Sequence, residues 1–194
     1  MMNQTVTFEL SSIEDTQKIA EALAPLLQPA DLILLNGELG AGKTTFTRCL
    51  GQGLGVRDGI ISPTFVLSRV HPNLPDGIRP GGPDLVHVDA YRLSSAEEID
   101  DLDLEYSLER SVTVVEWGEH KVEHLSDSRL EIDIIRATGG DGEIPFQQTS
   151  SDDDADEHSS EPRTMMIRGY GPRWDSTNWN AIMQALSAVL NAQQ

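Results

Sequence analysis

Apolar positions along this chain follow two rhythms, one of period two and one of helical period. From Thr5 to Leu10 they alternate, placing Val6, Phe8 and Leu10 on one side of a strand. Ser11 followed by Glu14 offers a capping box, after which Ile19, Ala20, Leu23 and Leu27 recur at helical spacing. Pro25 and Pro29 break that helix up before Asp31. Leu32 to Leu35 is an unbroken apolar run, the pattern of a strand buried on both faces of a parallel sheet. A glycine-rich turn and a helix from about Lys43 to Leu54 come next. Phe65 to Val70, Leu85 to Val88 and Val112 to Val115 read as strands, and so do Leu130 to Ile135 and Thr164 to Ile167. Ser95 with Glu98 opens a helix that breaks near Asp103, and a last helix covers about Ser176 to Leu190. Its stripe of Trp179, Ile182, Met183, Leu186, Val189 and Leu190 is expected to pack on the core. Strands alternating with helices around a glycine-rich turn predict an α/β layered fold, a central mostly parallel sheet flanked by helices.

Two segments stand outside this pattern. Between Val70 and Leu85, four prolines and three glycines predict a loop insertion at about 71–84. From 139 to 162 the chain carries eight acids and no Lys or Arg, with Ile144 and Phe146 as its only large apolar residues. Such a segment cannot bury enough surface to offset chain entropy, so it is expected to be a flexible acidic insertion. Asp152, Asp154 and Asp156 alternate as in a calcium loop, but Glu157 stands where that loop needs glycine and Arg163 where it needs its closing Glu. The 194 residues are expected to form a single domain over 1–194.

Charge and cysteine content narrow the function classes. Fourteen basic against 32 acidic residues leave a net charge of −18, which argues against direct grip on nucleic acid or an anionic membrane. The single cysteine, Cys49, excludes an internal disulfide and a multi-cysteine metal site. No run approaches a membrane span and the N-terminus lacks a secretory pattern, so a cytoplasmic protein is expected.

The chemistry lies in Gly37-Glu38-Leu39-Gly40-Ala41-Gly42-Lys43-Thr44, which matches the phosphate-loop pattern G-x-x-x-x-G-K-[ST] at every fixed position. The apolar strand before it and the helix after it supply the context the pattern requires. Glycines allow backbone N–H groups to close around phosphate oxygens, and the helix points its positive end at the same anion. Lys43 would place a charge against the outer phosphates, and the Thr44 hydroxyl would complete a magnesium shell. Hydrolysis or transfer also needs acids opposite the loop. Asp89 and Glu116 each end an apolar strand, where ligands sit in open α/β sheets, so both are candidates for the metal or for an attacking water. Thr64, after Ser62-Pro63, is a loop hydroxyl able to sense a γ-phosphate. Trp117 is either a core-edge aromatic or a lid on the nucleotide.

With these blocks the sequence resembles the TsaE (YjeE) family, the small ATPase component of bacterial tRNA threonylcarbamoyladenosine synthesis. The resemblance rests on Gly37 to Thr45, Ser62-Pro63-Thr64-Phe65, His87-Val88-Asp89-Ala90-Tyr91-Arg92-Leu93 and Val115-Glu116-Trp117-Gly118-Glu119, in this order. It covers about residues 5–137 well and 164–190 loosely. It implies a P-loop NTPase-like fold and a weak Mg2+-dependent ATPase, stimulated by TsaB- and TsaD-like partners and meeting tRNA only through them. By motif, Glu38, Leu39, Gly40, Ala41, Gly42, Lys43, Thr44 and Thr45 would hold ATP or ADP, with Trp117 near the nucleotide. Thr44, Asp89 and Glu116 would serve the metal, while Glu116, Asp89 and Thr64 would be catalytic. The two insertions interrupt no motif, and the acidic one is expected to be dispensable.

Two other readings use the same loop. A small-molecule kinase would share the phosphate loop, but no arginine cluster reads as a lid; a nucleotide-gated adaptor would keep its ATP unhydrolysed. No Asn-Lys-x-Asp element for guanine is present. The product discriminates: ADP and phosphate, a phosphorylated metabolite, or retained ATP.

Overall fold

A computed structural model describes residues 4–136 and 162–191. The acidic insertion expected at 139–162 therefore lies, Pro162 apart, outside the described residues.

The elements run β1 (Gln4–Leu10), α1 (Ile13–Leu23), β2 (Leu32–Asn36), α2 (Lys43–Leu54), β3 (Ser68–His71), β4 (Asp84–Asp89), α3 (Ala96–Asp100), α4 (Glu105–Leu108), β5 (Ser111–Glu116), β6 (Arg129–Arg136), β7 (Arg163–Tyr170) and α5 (Ser176–Asn191). Seven strands form one sheet in the order β1-β7-β6-β2-β5-β4-β3. The middle four, β6, β2, β5 and β4, are mutually parallel. β7 runs against both β6 and β1, and β3 runs against β4. Five of the seven strands thus point one way, which is the mostly parallel α/β sheet expected.

Alternation along the strands sends residues to two cores. Ile33, Leu35, Val112 and Val114 join Ile132 and Ile167 beneath α1, α2 and α5, which contribute Ile19, Phe46, Leu50, Ile182 and Leu186. Leu32, Leu34, Val86, Val88 and Val115 face the opposite way and pack against Leu93, Ile99, Leu104 and Val122. The unbroken apolar run of β2 is explained by this arrangement, since each of its faces meets a core. From the last helix, Trp179, Ile182 and Leu186 are buried in the first core and Met183 packs against it; of the rest of the predicted stripe, Val189 is half-buried outside that core and the Leu190 side chain lies outside the described residues.

Local differences from expectation have local causes. The cap of α1 lies one residue later than Ser11 and Glu14. Ser12 Oγ accepts from the Asp15 amide at 3.3 Å, while Asp15 Oδ2 accepts from the Ser11 and Ser12 amides at 2.8 and 3.2 Å. The strand expected from Phe65 begins only at Ser68. The amides of Val66 and Leu67 both turn back to the Pro63 carbonyl, and Leu67 takes a φ of +65°, so Phe65 and Val66 project into solvent. The predicted break near Asp103 coincides with a φ of +51° there, and the four-residue α4 beyond it carries no periodic signal. Residues 72–83 form an irregular connection between β3 and β4. Among the described residues no helix is long and apolar enough to cross a membrane.

Candidate functional site at the strand carboxyl ends

Parallel strands bring their carboxyl ends to one side of the sheet, and there β2, β4 and β5 release three loops toward a common cleft. The first is the phosphate-loop segment. β2 ends at Asn36, residues 37–42 turn, and α2 begins at Lys43 with Gly42 as its N-cap. Two glycines are required by geometry. A Cβ on Gly37 would lie 2.5 Å from the Ile134 carbonyl oxygen. Gly42 meets no such obstacle, but its φ of +103° is one that side chains rarely adopt. No side chain caps this helix, and its first residues Lys43, Thr44 and Thr45 line the cleft, so the positive end of the helix dipole offers an anion site there.

Lys43 is 5 % exposed and folds back over the loop. Its ammonium donates to the Gly37 and Glu38 carbonyls at 2.8 and 2.9 Å, and lies 3.8 Å from the ring centre of Trp117. Burial pushes its pKa down; the charges of Glu116 and Asp89 oppose that shift. Thr44 directs its hydroxyl at Glu116, donating to the carboxylate at 3.2 and 3.4 Å.

Asp89 and Glu116 close β4 and β5 as direct register partners, and both are buried. Asp89 Oδ2 accepts from Ser62 Oγ at 2.7 Å and Thr64 Oγ1 at 3.0 Å, while Oδ1 accepts from the Tyr91 amide at 3.1 Å. Glu116 accepts at Oε1 from the ring of His87, 2.7 Å away. Trp117 holds a φ of +60°, unusual for a bulky residue. Lys121 steadies that turn by donating to the Trp117 carbonyl at 2.9 Å and to Ala90 at 3.1 Å. Tyr91 meets the Trp117 ring edge-on at 5.2 Å.

A cleft of about 400 Å³ collects these groups, lined by Leu39, Gly40, Gly42, Lys43, Thr44, Thr45, Ser62, Thr64, Asp89, Tyr91, Glu116 and Trp117. Nearly every residue singled out from sequence is therefore brought to one place. Ala41 and Glu38 contribute otherwise: the Ala41 side chain is buried in the core beneath α1 and α2, and Glu38 offers its backbone carbonyl to Lys43. Trp117 belongs to the cleft wall rather than to either core.

The same blocks of sequence find relatives. The family model described as "Threonylcarbamoyl adenosine biosynthesis protein TsaE" matches residues 10–143. The chain belongs to the TsaE family. The protein named tRNA threonylcarbamoyladenosine biosynthesis protein TsaE in Streptomyces coelicolor is 52% identical over 159 residues, covering 81% of this chain and 93% of that one. The Bacillus subtilis protein of the same name is 40% identical over 134 residues, 69% of this chain and 79% of its own. Among solved structures, Bacillus subtilis YdiB superposes with a TM-score of 0.62 at 25% identity, covering 100% of this chain and 99% of that one. In this TsaE family member, the seven-stranded sheet gathers the phosphate-loop segment, Thr64, Asp89 and Glu116 at one cleft.

Sequence reasoning left without a role two groups that line the cleft and one buried behind it. Ser62 and Tyr91 sit inside the quoted blocks, but a serine before proline and a tyrosine after a strand carry no signal of their own. His87 had one: a polar ring in the middle of the apolar β4, two positions before Asp89 and so on the same strand face.

Proposed function

We propose that this protein is a Mg2+-dependent ATPase that supports formation of threonylcarbamoyladenosine in tRNA, as an accessory subunit to TsaB- and TsaD-like partners. The observation that carries this reading is the meeting of Lys43 and Thr44, at the start of α2, with Asp89 and Glu116 at the ends of adjacent strands. The names of the relatives support the pathway, and the chain's net charge of −18 supports contact with tRNA through the partners rather than directly.

The donors suit a hard cation. Among the described residues no three His, Cys, Asp or Glu side chains converge on a metal position. One hydroxyl and two carboxylates are what Mg2+ takes when phosphate oxygens and water complete its shell. Thr44, Asp89 and Glu116 would hold it, and the ion would screen the phosphate charge. The loop amides and Lys43 bind the phosphates, and Lys43 exchanges its backbone carbonyl partners for phosphate oxygens as it does so. One of the two carboxylates orients a water whose oxygen attacks the γ-phosphorus. The bond from that phosphorus to the bridging oxygen breaks, ADP takes the electron pair, and the water proton passes to the carboxylate or to the released phosphate. Glu116, tied to Thr44, takes the larger catalytic share; Thr64, hydrogen-bonded to Asp89, would sense the γ-phosphate.

Magnesium-dependent release of phosphate from ATP, with and without a purified TsaB–TsaD pair from the same source, tests this. Slow turnover alone and clear stimulation by the pair are expected. A phosphorylated metabolite as product, or ATP retained unhydrolysed beside active partners, would replace this reading.

A further inference from the structure

His87 is fully buried in the middle of β4, a costly place for an imidazole. Its Nε2 lies 2.7 Å from Glu116 Oε1, with the two side chains 0% and 4% exposed. A carboxylate only accepts, so the ring donates from Nε2. Its other nitrogen, Nδ1, is buried with no hydrogen-bond partner among the described residues. The ring therefore spends its one hydrogen bond on Glu116. The pairing is diagonal across the parallel strands, since His87 is in register with Val114 and Glu116 lies two residues further along β5. Glu116 Oε1 also accepts from Thr44, so one carboxylate oxygen is pinned from both sides.

We propose that His87 is a positioning residue that fixes the plane of the Glu116 carboxylate toward Thr44, and with it the affinity of the site for a divalent cation. The proposal rests on the ATPase reading for its kinetic consequence, but not for its binding consequence. A carboxylate held only by one threonine hydroxyl, shared between its two oxygens at 3.2 and 3.4 Å, still turns about its last torsion. A second, buried donor removes that freedom before metal and nucleotide arrive. Partners that orient a metal-binding side chain in this way are commonly worth about 10-fold or more in metal affinity or activity.

The test compares His87→Leu, His87→Gln and His87→Asn in the full chain. A glutamine amide reaches the position of Nε2, and asparagine reaches only that of Nδ1. Calorimetric titration of ADP with and without Mg2+ gives a readout free of catalysis, and steady-state ATP hydrolysis with the partner pair gives a second. His87→Leu is expected to lose most of the Mg2+-dependent gain in ADP affinity, about 10-fold, with metal-free ADP binding unchanged. It should lower kcat similarly while KM for ATP stays put. Gln should recover most of both losses and Asn neither. In a Glu116→Gln background, His87→Leu should do nothing further, because its route to the site is gone.

Equal losses in Gln and Leu, full metal dependence in Leu, or additive losses with Glu116→Gln would each overturn the proposal. So would a fall in melting temperature with metal dependence and kcat intact, the mark of a merely structural histidine. If the wild-type protein hydrolyses no ATP, the ATPase reading fails, and the ADP titrations still decide the role of His87.

Discussion

The two halves of the sheet are built on different principles. In the parallel half, β2, β4 and β5 are buried on both faces and end together, so the polar residues that follow them converge on one cleft. In the antiparallel flank, β7 alternates buried with half-buried positions and β1 alternates half-buried with exposed ones up to the buried Leu10, and Val6, Phe8, Leu10, Met165 and Ile167 pack on the core beneath α1 and α5. The polar face of the flank is knit by charge: Arg168 meets Asp133 at 2.7 Å and Arg129 meets Glu131 at 2.8 Å. Buried polar groups are expensive, and the parallel half spends that cost where phosphate chemistry needs it. The flank keeps its charges at the solvent boundary. Damage to the first half should therefore appear in turnover and damage to the second in stability.

The largest effect is expected from Lys43→Ala. Removing the one ammonium at the loop should lower partner-stimulated ATP turnover by about 100-fold or more, measured as phosphate release, with little change in thermal melting. Glu116→Ala should follow, with a loss of about 100-fold that exceeds the loss in Asp89→Ala. A Glu116→Ala protein at full turnover would remove Glu116 from the mechanism.

The contrasting experiment is Ile167→Ala. Ile167 is fully buried in β7 between its register partners Val6 and Ile132, at the centre of the flank. The cavity should cost about 2–5 kcal/mol in denaturant unfolding, while kcat at a temperature well below the melt stays unchanged. A fall in kcat alongside would show that the flank sets the cleft geometry.

A smaller effect concerns pH. His71 closes β3, buried, and burial together with His87 and Arg69 pushes its pKa below the ordinary 6.5. A histidine whose folded pKa is depressed binds fewer protons folded than unfolded, so stability is full above the unfolded value. It declines as pH falls below about 6.5 toward the folded value. Urea unfolding at pH 5 to 8 should show this slope, and His71→Leu should flatten it.

The contrast between the halves also marks what could be read in advance. The phosphate-loop segment was legible because three constraints coincide there: a doubly buried strand, glycines at φ values other residues avoid, and an amphipathic helix. Asp89 and Glu116 were legible because each ends a mainly apolar strand. The order of strands was not, since period two says that a strand has two faces but not which neighbour it pairs with; nothing in β7 announces that it inserts between β1 and β6. The onset of β3 was misread because Leu67 adopts a positive φ without being glycine. His87 carried a signal as a polar ring within an apolar strand, but its role did not, for its partner Glu116 stands 29 residues away and only the fold brings the two together.

The smallest effect tests the boundary between the halves. Arg168 donates from Nη2 to Asp133 and from Nε, at 3.4 Å, to Glu131, with about a quarter of its side chain exposed. Exposed and half-exposed pairs are worth about 0–1 kcal/mol, because the water they displace solvated both charges well. Arg168→Ala leaves each acid a partner: Glu131 keeps Arg129, and Asp133 still accepts from the Asn36 side chain at 3.0 Å. A loss below about 1 kcal/mol, shrinking further in high salt, is therefore expected in chemical denaturation. Asn36 makes this variant informative beyond its size, because it is the last residue of β2 before Gly37. If Arg168 matters only to the flank, ATP turnover is unaffected. Reduced turnover in a protein of nearly normal stability would mean that the charge network reaches through Asp133 and Asn36 to the phosphate loop, and the division between the two halves would have to be drawn on the far side of β6.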